Sequence, residues 1–275
     1  RLLIGNVIND KAAVVHIADR PIKGIIQGGD IMDIEALKQV LNEMAHIKND
    51  QLQLKATIKN ANILLPSIGF QIFDSQKETT VVSSTKHVDT IDIKNVVNQI
   101  KNQNIPDGLQ IVDIVPISFV LDDNKNFSNP PIGQVSSNIG IWARVHTLGY
   151  QTVGMYTSVL EEVGIAPKRS LVTPYAICEL LKHKERIPPH YFLIDILDGY
   201  ASITLVSNHN PYVHRVLPRG FNELVSKVSQ EFLVNEQVAR NIINAYGISN
   251  RELVFNPEIK IEGVKPRIKD NEKKD

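Results

Sequence analysis

Residues 191–206, YFLIDILDGYASITLV, place an acid where chemistry could be done. Asp195 interrupts one apolar run, a short Asp198-Gly199 turn follows, and a second apolar run leaves the turn. The question this poses is whether the segment is a phosphate cradle, in which turn N–H groups meet anionic oxygens and a carboxylate organises a cation through water. The competing reading makes Asp195 a buried acid satisfied by backbone donors, with Gly199 and Gly220 serving turn geometry alone. Other reactive constellations are missing from the sequence. The eight histidines are scattered, and none forms an H-x-x-x-H pair beside a suitable carboxylate, so no metal site is expected. Neither a G-x-S-x-G elbow nor a G-x-x-x-x-G-K-[ST] loop occurs. Cys178 falls on a predicted amphipathic helix, where a core role is expected. Trp142 sits in an alternating strand and reads as packing, and Asp122 with Asp123 as a solvated turn. Enzymatic chemistry has no strong candidate.

The elements that must position these residues follow from length, balance and periodicity. A chain of 275 residues suffices for about two compact domains. Lys+Arg and Asp+Glu are both 30, so no net basic field exists to hold nucleic acid or an anionic membrane. The single cysteine rules out an internal disulfide framework and fits a reducing cytoplasm. No apolar run approaches the roughly 18 residues needed to span a bilayer. The chain starts at Arg1 and enters LLIGNVI directly, which reads as a trimmed N-terminus of a soluble cytosolic fragment.

The first part reads as β-β-α. Residues 2–8 and 12–18 are apolar runs joined by Asn9, Asp10 and Lys11, a hairpin signal. A loop with Gly24, Gly28 and Gly29 leads to a helix in which Ile34, Leu37, Val40, Leu41, Met44 and Ile47 recur at helical spacing, with Asp33 as cap. From about residue 52 to 149, strands surround one helix marked by Ile93, Val96, Val97 and Ile100. ATIKNANILLP, GFQIFD and ETTVVSS are separate strand-like runs. LQIVDIVPISFVLDD is a long β-rich run with Pro116 at a bulge or edge, and NIGIWARVHTL alternates as a further strand. Alternation of strand and helix then resumes. A helix stripe through Val153, Tyr156, Val159, Leu160 and Val163 is closed by Gly164. Thr173 is expected to cap a helix with Pro174 in its first turn, running to about Lys184. Beyond residues 191–206 come a strand PYVHRVL, a helix over about 221–233, and a second helix opened by Asn235 and closed by Gly247. The last eleven residues are too polar to pack.

This order resembles FtsA, the actin-like adaptor of bacterial cell division, in a divergent form with both ends truncated. IKGIIQGGDIMDIEAL is similar to the loop and helix of that family's first subdomain, and VDIVPISFVLDD with SNPPIGQVSSNIGIWARVH is similar to its 1C insertion. MYTSVLEEVGI, LVTPYAICELL, LIDILDGYASITLV and VLPRGFNELVSKVSQEFLVNEQVARNIINAYG follow in family order. The resemblance implies an α/β, actin-like (ribonuclease H-like) fold with an inserted small α+β subdomain of the 1C (SHS2) type. It divides the chain into a 1A-like part at 1–66 and 146–186, a 1C-like insertion at 67–145, a partial 2A-like part at 187–264 and a disordered tail at 265–275. By the same resemblance the family's first strand, its 2B region, its adenosine loop and its C-terminal amphipathic helix are not represented, so a piece of a longer protein is expected.

The resemblance also names a nucleotide site. Where the family reads Asp-Ile-Gly-Gly-Gly-Thr-Thr-Asp, this chain keeps Asp195, Ile196 and Gly199, puts Leu197 and Asp198 for two glycines and Tyr200 and Ala201 for the threonines, and Ser202 for the second acid. The family's Pro-x-Gly-Gly appears as Pro218, Arg219, Gly220 and Phe221, and its Ala-Glu-x-x-Lys helix as Ala239, Arg240, Asn241, Ile242 and Ile243. Asp195, Gly199, Ser202, Gly220 and Arg240 are therefore expected to mark a vestigial site, with ATP and Mg²⁺ disfavoured and no catalysis. The implied role is a cytoplasmic scaffold at the inner face of the cell membrane. Its implied partners are FtsZ, later division proteins and its own copies in filaments, with no nucleic acid and with membrane contact only through a segment outside this chain. The 1C loop at 122–134, including Asp122, Asp123, Asn129 and Pro130, is the expected interaction surface. Two other readings stand beside it: an actin-fold ATPase that binds Mg-ATP, and a PilM-like pilus-assembly adaptor.

Overall fold

The computed structural model describes residues 1–8, 11–22, 24–49, 54–122 and 124–247. Strands β1 (Leu2–Ile8) and β2 (Lys11–Ala18) form the expected antiparallel hairpin, with a bulge between Ile4 and Gly5. The Asn9-Asp10 turn lies outside the described residues, as does the tail at 265–275. Two-residue strands β3 (Ile26–Gln27) and β4 (Asp30–Ile31) turn through Gly28 and Gly29, both with positive φ. Helix α1 (Ile34–Ala45) starts on Asp33, whose carboxylate accepts the Ala36 N–H at 2.9 Å. It buries Leu37 and Met44, while Ile34 stays exposed. Ile47, expected in the same stripe, instead lies in β5 (His46–Asn49), which pairs with β6 (Leu54–Thr57).

Strand β7 (Asn60–Leu65) precedes the insertion, which comprises β8 (Gln71–Thr80), α2 (Thr90–Lys101), β9 (Leu109–Leu121), β10 (Asn126–Phe127) and β11 (Asn138–Gly149). GFQIFD and ETTVVSS were expected as two strands, but QIFD and ETT lie in one ten-residue strand, β8, and Val81 to Ser84 follow it. The sheet order is β10-β9-β11-β8, all antiparallel. Ile139, Ile141, Ala143 and Val145 of β11 point to one side and pack with Val96 and Ile100 of α2. Alternation sends Gly140, Trp142 and Arg144 to the other side. The ladder skips one residue of β9 at Pro116, where Trp142 faces Ser118 and Ala143 faces Pro116. β10 reaches only Phe119 and Val120, so Pro116 sits at both a bulge and an unpaired edge.

Helix α3 (Tyr150–Glu162) ends at Gly164, which takes a positive φ. Strand β12 (Ala166–Val172) pairs in parallel with β7 and runs into α4 (Thr173–Lys182). The cap of α4 is Val172, not Thr173, because the Thr173 hydroxyl donates to the Leu65 carbonyl instead. Strands β13 (Tyr191–Ile196), β14 (Ala201–Ser207) and β15 (Asn210–Leu217) form a meander in that order. Helices α5 (Phe221–Phe232) and α6 (Glu236–Tyr246) follow, the latter opened by Asn235 and closed by Gly247. The described residues divide into two compact units, Arg1–Ile194 with Ser202–Val216, and Asp195–Ala201 with residues 217–247.

The first unit holds an aromatic cluster at the root of the insertion. His146 is fully buried with its ring edge-on to Phe70 and to Tyr175, and His214 lies against the same Phe70. His214 is satisfied by the Thr204 hydroxyl and the Ser67 carbonyl. Both ring nitrogens of His146 lack partners among the described residues. Burial, reinforced by the Arg144 charge, pushes the His146 pKa down to about 3.

Candidate functional site

In the second unit the segment Asp195–Ala201 folds back on the start of α5. The Leu197 N–H donates to the Tyr200 carbonyl at 2.9 Å, which closes the turn. Three residues at the start of α5 then spend their N–H groups: Phe221 on the Leu197 carbonyl, Asn222 on the Asp198 carbonyl and Glu223 on the Gly220 carbonyl, at 2.8, 2.9 and 3.1 Å. A helix start is an anion site because such N–H groups are free. Here two of them meet the turn's own carbonyl oxygens, at Leu197 and Asp198, and the third meets that of Gly220. Gly220 makes the approach possible, since a Cβ there would lie 2.3 Å from the Leu197 oxygen, 2.5 Å from the Tyr200 nitrogen and 2.6 Å from the Asp198 oxygen. Its φ of −129° is open to any residue, so the requirement is space and not conformation.

Arg240 of α6 completes the assembly. Its guanidinium donates to the Asp198 carboxylate at 3.1 Å and to the Asn222 side-chain oxygen, and lies 5.4 Å over the Phe221 ring. The acid that replaces a family glycine is thus neutralised by the arginine on the helix expected to meet a nucleoside. Asp198, Gly220 and Arg240 come together, with Asn222 and Phe221 as members that sequence reasoning missed. Gly199 is exposed at the tip of the turn. Asp195 is half-buried at the end of β13, and no partner of its carboxylate is found among the described residues. That differs from the acid satisfied by backbone donors. Ser202 is buried on β14, its hydroxyl without a partner among the described residues. The N–H groups of Leu197, Phe221, Asn222 and Glu223 are therefore committed internally.

The insertion loop is ordered by its acid. The Asp122 carboxylate accepts the Ser137 and Asn138 backbone N–H groups and the Asn138 side-chain amide, which holds its pKa below the usual carboxylate range. Asn129 and Pro130 are exposed, and Asp123 lies outside the described residues. A cleft of about 690 Å³ opens beside the same insertion, between Val97 and Lys101 of α2, Ile105, the first half of β9 and Tyr150.

Residues 70–147 match the family described as the SHS2 domain inserted in FTSA. The whole chain is similar to cell division protein FtsA of Streptococcus pneumoniae serotype 2, 18% identical over 262 residues that cover 95% of this chain and 56% of that protein. It is also similar to cell division protein FtsA of Borreliella burgdorferi, 23% identical over 249 residues, 90% of this chain and 59% of that protein. The chain thus spans little more than half the length of these relatives. Among solved structures, the PilM-PilN type IV pilus biogenesis complex superposes with a TM-score of 0.57 at 17% identity, covering 88% of this chain and 66% of that one. No helix among the described residues is long and apolar enough to cross a membrane. The chain is an actin-like α/β protein with an SHS2 insertion, and it resembles the FtsA proteins of cell division.

Proposed function

We propose that this chain is the actin-like part of a cell-division adaptor that works by protein contacts, linking FtsZ and later division proteins to the cytoplasmic face of the membrane. The observation that carries the reading is the SHS2 insertion at 70–147 within a chain that is similar to FtsA over nine-tenths of its length. Self-association and contact with later division proteins would use the insertion, including the loop that Asp122 orders. The nucleotide role is proposed to be lost, supported by the occupied N–H groups of α5 and the Asp198–Arg240 pair. Immunoprecipitation of the native protein from its source cells should co-recover FtsZ. Failure to recover FtsZ from dividing cells would remove the main support for this reading.

The superposition on the PilM-PilN complex favours a second reading, a pilus-assembly adaptor. That protein would hold a short N-terminal peptide of a membrane assembly protein, and the cleft beside Tyr150 has the size for one. Binding of such a peptide without FtsZ recovery would favour the second reading over the first.

A further inference from the structure

The insertion sheet has one face on α2, and described residues cover one end of its second face. Arg144 marks the covered end: its guanidinium donates to the carbonyls of Ser207, Asn210 and Pro211 and stacks 4.9 Å from the Tyr212 ring. Further along this face Trp142 is 41% exposed, Gly140 is half-buried and Asn138 is exposed. Trp142 was expected to be a packing residue, and it keeps part of its surface exposed on that side.

Register places charge around the ring. Trp142 is directly opposite Gln76 of β8, so Asp74 and Glu78 are its diagonal neighbours on the same face, within reach of an aromatic side chain. Glu78 has no partner among the described residues, and Asp74 is 48% exposed and only 3.9 Å from the Arg144 nitrogen. Two residues along β11, Gly140 opens a depression of about 470 Å³ that Glu78 and Val120 also line. Nothing in the fold requires this glycine. Its φ is not positive, the register shifts occur elsewhere, and a Cβ would meet the Lys77 oxygen at an ordinary 3.5 Å. A glycine inside a central strand weakens it, and one meaning such a glycine can carry is close approach of a ligand or another backbone.

We propose that this face docks an arginine-bearing peptide segment of a partner protein, its guanidinium stacked on Trp142 between Asp74 and Glu78 and its backbone crossing the sheet at the Gly140 notch. An exposed indole flanked by carboxylates attracts a planar cation through both the ring quadrupole and charge. The cavity and the glycine fix where the neighbouring backbone lies. The proposal concerns the same insertion that the division reading assigns to partner contacts, and it does not require FtsZ.

The test uses the full chain and a fluorescein-labelled peptide, Gly-Leu-Thr-Arg-Val-Gly, followed by anisotropy at low and high salt. Saturable binding is expected, at least tenfold weaker when citrulline replaces arginine and weaker in high salt. Trp142→Leu, Glu78→Gln and Gly140→Val should each weaken it at least fivefold with unchanged circular dichroism, while Glu231→Gln on α5 should not. Trp142 is the one tryptophan of the chain, so its fluorescence should change on binding to the unmodified protein. Equal binding of the citrulline peptide, or unaltered binding by Trp142→Leu and Glu78→Gln, would overturn the proposal. So would absence of saturable binding at millimolar peptide, or a sedimentation shift showing that a second copy of the chain occupies the face.

Discussion

Gly220 and His146 show how much rests on single positions. A side chain on Gly220 would collide with two carbonyl oxygens and a backbone nitrogen at once, none of which is the far end of a flexible side chain. Gly220→Ala is expected to cost about 2–3 kcal/mol, by overpacking against backbone that cannot yield. It should appear as a lower urea midpoint with an unchanged slope. His146 has a folded pKa below its unfolded value, so the unfolded chain binds its proton first. Stability from this residue is present above about pH 6.5 and declines as pH falls toward 3, by up to about 1.4 kcal/mol per pH unit. His146→Phe should flatten the urea midpoint between pH 7 and pH 5, and a slope equal to that of the unmodified chain would exclude His146 as the source. These roles were hard to read from sequence for a definite reason. Asp198 and Arg240 are 42 positions apart, and His146 meets Phe70 and Tyr175 only after the strands assemble.

Helix α2 illustrates what periodicity reveals at the scale of the element and what it leaves out. The spacing of Ile93, Val96, Val97 and Ile100 correctly marked the helix, since burial of one face is what makes a short helix stable. Its N-terminus depends on Asp92, which is fully buried and accepts the Asp89 N–H at 2.8 Å and the Val82 N–H at 2.9 Å. The first bond closes a capping box with Asp89, and the second ties in the segment leaving β8. Asp92→Ala leaves two backbone donors without their partner and should cost about 2–3 kcal/mol, with faster hydrogen exchange at Val82 and Asp89. Exchange unchanged at Val82 would contradict that link. The same competition for partners explains the α4 cap: Thr173 had a suitable residue type, but the Leu65 carbonyl drew its hydroxyl away. The joining of QIFD and ETT in β8 has a similar origin. Asp74, Gln76 and Glu78 are poor strand formers in isolation, and pairing along ten residues of β11 holds them extended.

For the whole molecule, the order of strands and helices was legible because apolar period and caps repeat at every level, whereas the proposed loss of the nucleotide role depends on where carbonyl oxygens point. The family pattern located Asp195, Gly220 and Arg240, but substitutions alone left ATP binding open. Phe221 and Asn222 donate to the Leu197 and Asp198 carbonyls, and the proposal is that an incoming phosphate would have to compete with these two bonds. A site with a dissociation constant near 10 µM would, at about 1 mM Mg-ATP, add roughly 2.7 kcal/mol and raise the melting temperature by several degrees. No shift beyond about 1 °C is expected for the unmodified chain. Removing the acid alone, in Asp198→Gly, should also give none, because the Leu197 and Asp198 carbonyls would still cap α5. A concentration-dependent rise in melting temperature with Mg-ATP, absent with Mg²⁺ alone, would show that the turn opens to nucleotide and would return the chain to the actin-fold ATPases.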